Sequence, residues 1–189
     1  MASSNISSSA IRNWLSTAAT AVLMLTGCTG APKGTHPIPQ LDIPRYLGTW
    51  YEIARFDHRF ERGLECVTAT YSLRPDGRLK VINRGRNSNS GQWKEAEGKA
   101  SVLTTPADGR LKVSFFGPFY SGYNILALDA NYQYALVSGP SHGYLWILSR
   151  HPQLDETYYN KLIAIAQAQG FDTSALMRIH QEEANCTTL

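Results

Sequence analysis

The chain has no cluster of Lys and Arg and no block of acidic residues. Its 18 cations and 15 anions are scattered, for a net charge of +3. Nucleic-acid binding needs a basic stripe or patch, so no such partner is expected. Cys is scarce, at 3 of 189 residues, with no C-x-x-C pair and no Cys/His spacing of the kind that holds zinc. The 5 histidines are dispersed, and no paired carboxylates or metal-ligating cluster stand out. No fixed-period repeat and no alternation of strand with helix occur, which sets aside solenoids and parallel α/β sheets. No apolar run is long enough to span a bilayer comfortably.

What is present begins with a Ser-rich segment whose single cation is Arg12, followed by an apolar stretch over residues 14–28 that ends in small residues. That pattern reads as a secretory signal. Leu25-Thr26-Gly27-Cys28 is similar to the bacterial lipobox, in which the Cys is acylated and becomes the first mature residue. A plain cleaved signal with an incidental Cys is the alternative. Thr29 rather than Asp follows, which by analogy directs such lipoproteins to the outer membrane, and two or more acyl chains give stable anchoring. The expected organisation is a signal at 1–27, a proline-rich extended tether at 28–40 and one folded domain at 41–189. Cys66 and Cys186 remain. In an oxidising compartment two such thiols are expected to pair, and a bridge closing so long a loop contributes about 4–5 kcal/mol. Two free thiols are the alternative.

From residue 46 to 150 the chain is a series of short runs rich in Val, Ile, Thr, Tyr and Phe, at 49–56, 66–73, 79–86, 93–103, 111–116, 122–129, 132–139 and 144–150. Turn formers separate them, among them Pro75-Asp76-Gly77, Asn89-Ser90-Gly91, Ala107-Asp108-Gly109 and Gly117-Pro118. Eight strands with hairpin-length links predict an antiparallel meander, either a sandwich or a closed barrel. One helix follows, with Asp155 as N-cap, Tyr159, Leu162, Ile163 and Ala166 on one face, and a stop at Gly170. Its apolar stripe predicts packing against the outside of the sheet. The stretch from Asp172 onward has room for one further short turn or strand.

Alternation along 144–150 puts Tyr144, Trp146, Leu148 and Arg150 on one face and Leu145, Ile147 and Ser149 on the other. Both faces are apolar, as for a strand covered by the helix outside and lining an interior. If the sheet closes, its first and last strands are neighbours, and Trp50 meets Arg150 as a cation–π pair. A core Trp with a separate, solvated Arg fits the same alternation. Gly48-x-Trp50, Asp129 with Tyr132, and Arg150 resemble the three signature regions of the lipocalin family, although Leu128 stands where the family commonly has Thr. Over residues 40–180, runs such as "GTWYEIARFDHRFERGL" and "LKVSFFGPFY" are similar to its bacterial outer-membrane branch. The resemblance implies an all-β fold: an eight-stranded antiparallel up-and-down β-barrel with a C-terminal α-helix outside. It implies that Gly48, Trp50 and Arg150 close one end. For that branch it also implies fatty acid or lysophospholipid ligands, lipid storage or transport in the envelope, and a lipid anchor facing the periplasm. It implies a homodimer in some members; no enzyme activity is expected from the residues, although a few lipocalin relatives are enzymes.

With Arg150 at the closed end, alternation nominates Tyr71, Asn83, Val113, Phe115, Tyr123, Tyr144 and Trp146 as ligand-binding residues, with Ala69, Val81 and Ile125 as further lining. Such a surface suits an acyl chain, at about 0.8 kcal/mol per buried methylene. Arg55, His58, Arg59, Arg62, Arg84 and Arg86, near the loops after the first and third strands, are candidates for a cationic rim, against the plainer reading of solvated charge. Gly139-Pro140-Ser141-His142-Gly143 matches G-x-S-x-G, so a lipid esterase using Ser141 is an alternative. That motif, however, needs a strand-to-helix turn, and Pro with Gly predict a hairpin here. A pigment or haem carrier in the same barrel is another alternative. No cofactor is read from the sequence.

Overall fold

The computed structural model describes residues 29–182 and Cys186. The signal expected at 1–27 and the expected acylation site Cys28 lie outside the described residues. Eight strands follow one another as an up-and-down meander: β1 (Gly48–Phe56), β2 (Leu64–Leu73), β3 (Leu79–Asn87), β4 (Trp93–Val102), β5 (Arg110–Ser114), β6 (Ser121–Leu128), β7 (Tyr134–Ser138) and β8 (Leu145–Ser149). Each pairs antiparallel with the next, and β8 returns to β1, so the sheet closes into a barrel. The β1–β2, β3–β4, β5–β6 and β7–β8 loops therefore lie at one end, and the other connections lie at the opposite end.

Alternation builds two cores on the two faces of this wall. Trp50, Tyr71, Val81, Leu111, Ile125, Val137 and Leu148 pack inside. Ile53, Phe56, Leu126, Leu136, Leu145 and Ile147 face outward and are covered by Tyr159, Leu162 and Ala166 of α2 (Glu156–Ala168). The helix starts where Asp155 Oδ1 accepts from Thr157 N–H at 2.7 Å, and ends before Gly170, whose φ of +84° suits a residue without Cβ.

A short β9 (Leu176–Arg178) follows and pairs with Ala54–Phe56 of β1. It lies where β1 has parted from β2, whose pairing with β1 covers only Gly48–Tyr51. The segment beyond β9 closes the split. Ile179 N–H donates to Ile53 O, Cys66 N–H to His180 O, and Gln181 Nε2 to both Glu52 O and Val67 O. Cys66, bonded to Cys186 with Cα atoms 5.2 Å apart, staples the chain end to β2.

The proline-rich segment before the barrel makes one turn at Pro32–Thr35 and is otherwise extended, but it is not a free tether. Asn124 Nδ2 donates to Gly30 O, His36 N–H to Gln169 Oε1, Ile38 N–H to Ile125 O and Leu41 N–H to Ala107 O. Prolines keep the strip extended, while buried Pro32 and Leu41 hold it on the wall. It runs from the start of β6 at the loop end down to Ala107 at the opposite end.

Candidate functional site

The base of the barrel is built from β1 outward. Pro44 in the first turn and Asp42 as N-cap start a one-turn helix, α1 (Ile43–Tyr46), which lies under the barrel. Trp50 is fully buried, and its Nε1–H donates to Tyr46 O at 2.9 Å. The Arg150 guanidinium carbon lies 3.9 Å from the Trp50 ring centroid. Its nitrogens donate to Thr49 O, Arg45 O, Leu47 O and Tyr132 O, which ties β1, α1, the β6–β7 turn and β8 together. Gly48 has φ of +95°, and a Cβ there would come within 3.3 Å of Arg150 Nη1, so both backbone and contact favour glycine. Asp129 accepts from the N–H groups of Asn131, Gln133 and Tyr134. That holds Tyr132 at φ of +60°, where its carbonyl reaches Arg150.

Above this floor three tyrosines meet. The hydroxyls of Tyr46 and Tyr123 are 2.7 Å apart, and Tyr71 O–H donates to Tyr123 Oη at 2.9 Å. Burial pushes all three hydroxyls above their ordinary pKa of 10, so they stay protonated. Two bonds among three hydroxyls leave a donor or acceptor position for a polar ligand group.

Higher up, the interior opens. Ala69, Asn83, Val113, Phe115, Tyr123 and Trp146 face inward by strand parity yet keep part of their surface accessible, whereas Val81, Leu111, Ile125 and Leu148 below are buried. Asn83 Oδ1 is buried and accepts no hydrogen bond among the described residues. The Phe115 ring lies where a Cβ on Gly98 would stand, at 2.8 Å, so glycine at 98 makes room for it. Tyr144 is not deep in the cavity. It sits in the β7–β8 loop and stacks on Phe60 and Trp146 at the mouth. A separate concavity of about 270 Å³, lined by Ile43, Leu79, Ala100 and Val102, lies at the closed end, below the usual size of a ligand pocket.

The rim differs from the sequence expectation. Arg55 is fully buried rather than exposed, because a bulge at Ile53 shifts the register between Glu52 and Ala54. Glu52 keeps the inward parity of Trp50, Ala54 joins the outer core, and Arg55 turns inside. There it pairs with Glu52 and donates to Glu61 O at 2.7 Å. Glu61 Oε2 lies 3.0 Å from His58 Nε2 and accepts from Trp146 Nε1 at 3.1 Å. His58 is likewise buried, so of the six candidates neither Arg55 nor His58 belongs to a solvated rim. Of the other four, Arg62 is exposed and pairs with Asp57, Arg86 pairs with Glu65, Arg84 lies over Trp93, and Arg59 is exposed next to Phe60 in the chain. Tyr46, Glu52 and Glu61 were absent from the sequence-derived set. The Asp42-x-Pro44 helix start and the shared parity of Trp50 and Glu52 were the available signals for the first two.

Burial, reinforced by the Glu61 charge, pushes the Glu52 carboxyl well above its ordinary value of 4.5, and Arg55 opposes this only in part. The folded chain therefore binds this proton more tightly than the unfolded chain does. The stability Glu52 contributes is full below about pH 4.5 and is lost as pH rises through the raised native value. Glu52→Gln keeps an acceptor for Arg55 and removes the titration. The urea midpoint of wild type should fall more than that of the variant between pH 4.5 and neutrality. Identical slopes would refute the assignment.

Ser141 is exposed in a hairpin loop, and His142 Nε2 is 3.1 Å from Gln169 O rather than directed at the serine. The strand-to-helix geometry of a nucleophile elbow is not formed there.

Comparison with known proteins agrees with this architecture. The family model "Lipocalin-like domain" matches residues 41–181. The chain is 54% identical over 166 residues to the outer membrane lipoprotein Blc of Escherichia coli K12, covering 87% of this chain and 94% of that one. It is 49% identical over 161 residues to the Vibrio cholerae protein of the same name, covering 85% and 94%. Among solved structures, insecticyanin from the tobacco hornworm superposes with a TM-score of 0.68 at 20% identity, over 84% of this chain and 90% of that one. The floor of Gly48, Trp50 and Arg150, the closed eight-stranded wall and these matches together place the chain in the lipocalin family.

Proposed function

We propose that this lipocalin carries a single acyl chain, as a fatty acid or lysophospholipid, for storage or transport of lipid in the cell envelope. One observation carries the reading: the inward-facing Asn83, Val113, Phe115, Tyr123 and Trp146 stay partly accessible above a sealed floor. An apolar chain entering there leaves water at about 0.8 kcal/mol per methylene. The Tyr46–Tyr71–Tyr123 hydroxyls and the free Asn83 Oδ1 offer polar contacts within the cavity. Relatives named outer membrane lipoprotein indicate an outer-membrane location, with acylation at Cys28 as the anchor.

Organic extraction of the purified protein, followed by mass spectrometry, should yield fatty acid or lysophospholipid. Absence of both, together with no saturable binding of a fluorescent acyl probe, would overturn the reading. Trp146→Ala should weaken that probe by about tenfold or more, equivalent to 1.4 kcal/mol, while Trp146→Phe keeps most of the affinity. Unchanged affinity in the alanine variant would remove Trp146 from the site.

A further inference from the structure

We propose that a hollow beside the outer wall of the barrel, between the β2–β3 turn and the β5–β6 loop, binds a phosphate group. Of the residues that line the acyl cavity only Phe115 also borders it, and the inference does not rest on the carrier reading.

Folding gathers cations that are scattered along the sequence. The hollow, of about 170 Å³, is lined by Arg74, Glu97, Lys99, Ser114 and Gly117 among others. Lys99 and Ser114 are paired neighbours on β4 and β5, one residue out of step with the inward Ala100 and Val113, so both face outward. Tyr120 ties the β5–β6 loop to this place. Its ring lies 5.6 and 5.1 Å from the ammonium groups of Lys99 and Lys112, and its hydroxyl reaches Arg78 of the β2–β3 turn. Arg74, Arg78, Lys80, Lys99 and Lys112 thus stand against Asp76 and Glu97. Asp76 pairs with Arg78 at 2.6 Å and Glu97 with Lys80 at 2.8 Å, while Lys99 and Lys112 have an aromatic ring as neighbour instead. The local field is positive.

Two donors at the hollow lack a partner. Ser114 is 4% exposed, and its Oγ makes no hydrogen bond among the described residues. Arg74 Nε is buried and likewise makes none, with Asp76 Oδ2 3.5 Å away, beyond the usual N–H···O range. A buried hydroxyl and a buried guanidinium N–H left open are costly, and an oxyanion in the hollow offers both an acceptor.

The donor set selects the ligand. A guanidinium, an ammonium and a hydroxyl approaching from different elements suit a tetrahedral anion with several acceptor oxygens, which is phosphate. The space is too small for an acyl chain or other large ligand. Gly117 keeps it open: a Cβ there would lie 3.8 Å from Lys99 Nζ, so a larger side chain would compete with the anion for the lysine. Free phosphate and the headgroup of a phospholipid share this chemistry.

The test follows the backbone amide NMR signals of Lys99, Ser114 and Gly117 in the purified protein, kept in a non-ionic detergent. Inorganic phosphate is titrated in, then separately glycerophosphoglycerol, a deacylated headgroup diester, each against sodium chloride of equal ionic strength. The expected result is a saturable shift with phosphate that chloride does not reproduce. Lys99→Met and Ser114→Ala should each weaken it about threefold or more, the size of effect that one exposed charge pair supplies, and Trp146→Ala should leave it unchanged. Tighter saturation by the diester assigns the occupant to a lipid headgroup, and tighter saturation by inorganic phosphate assigns it to the free ion. Shifts that never saturate, or that chloride matches, mean an adventitious ion only and overturn the proposal. Equal affinity in wild type, Lys99→Met and Ser114→Ala overturns it too, and loss of the shift in Trp146→Ala would move the phosphate into the acyl cavity. Urea unfolding gives a second readout. Without phosphate Ser114→Ala should be as stable as wild type or more so, and phosphate should raise its midpoint less. An equal rise in both removes Ser114 from the site and contradicts the assignment.

Discussion

Trp50→Ala should lower the unfolding free energy by about 3–5 kcal/mol. The ring has no exposure, packs 4.9 Å from Tyr46 and lies under the Arg150 guanidinium. Its removal leaves a hole at the floor, an unpaired Tyr46 carbonyl and an arginine without its aromatic face. The site cannot collapse easily, because Arg150 is held by carbonyls from α1, β1 and the β6–β7 turn. Urea unfolding measures the loss. A double-mutant cycle with Arg150→Ala should give a coupling of about 0.5–2 kcal/mol for the cation–π pair. A Trp50→Ala cost under about 1 kcal/mol, typical of a surface change, would show that the floor does not depend on this ring.

Removal of the Cys66–Cys186 bond should cost about 4–5 kcal/mol, because it spans 120 residues and the unfolded chain regains a large loop entropy. Small domains are stable by about 5–15 kcal/mol in total, so the bond contributes a large share. The local consequence is specific as well. Residues from β9 to Gln181 fill the split between β1 and β2 through main-chain and amide bonds. Once the staple is gone, hydrogen exchange at Met177–Gln181 should accelerate more than exchange in the β3–β4 hairpin. Equal urea midpoints for reduced and oxidised protein would refute the prediction.

Much of this architecture is legible in local pattern. Each of the eight barrel strands lies within a few residues of a run rich in β-branched and aromatic residues, since alternation and turn formers act over short distances. Asp155 and Gly170 bracket the helix by their own chemistry. The inward set on β2, β5, β6 and β8 follows from parity alone. Arg55 shows where that logic stops. One bulged residue flips parity, and nothing in Ile53 or its neighbours announces a bulge.

Period-two alternation, turn residues and the helix caps therefore sufficed to define a meander with an apolar inner face, because each depends on near neighbours along the chain. Other features arose only when the ring closed. The buried Glu52–Arg55–Glu61 group, the tyrosine trio, the C-terminal patch over the β1–β2 split and the N-terminal strip ending beside the mouth join residues far apart in sequence. Their pairing is set by barrel closure and by burial of groups that water would otherwise satisfy.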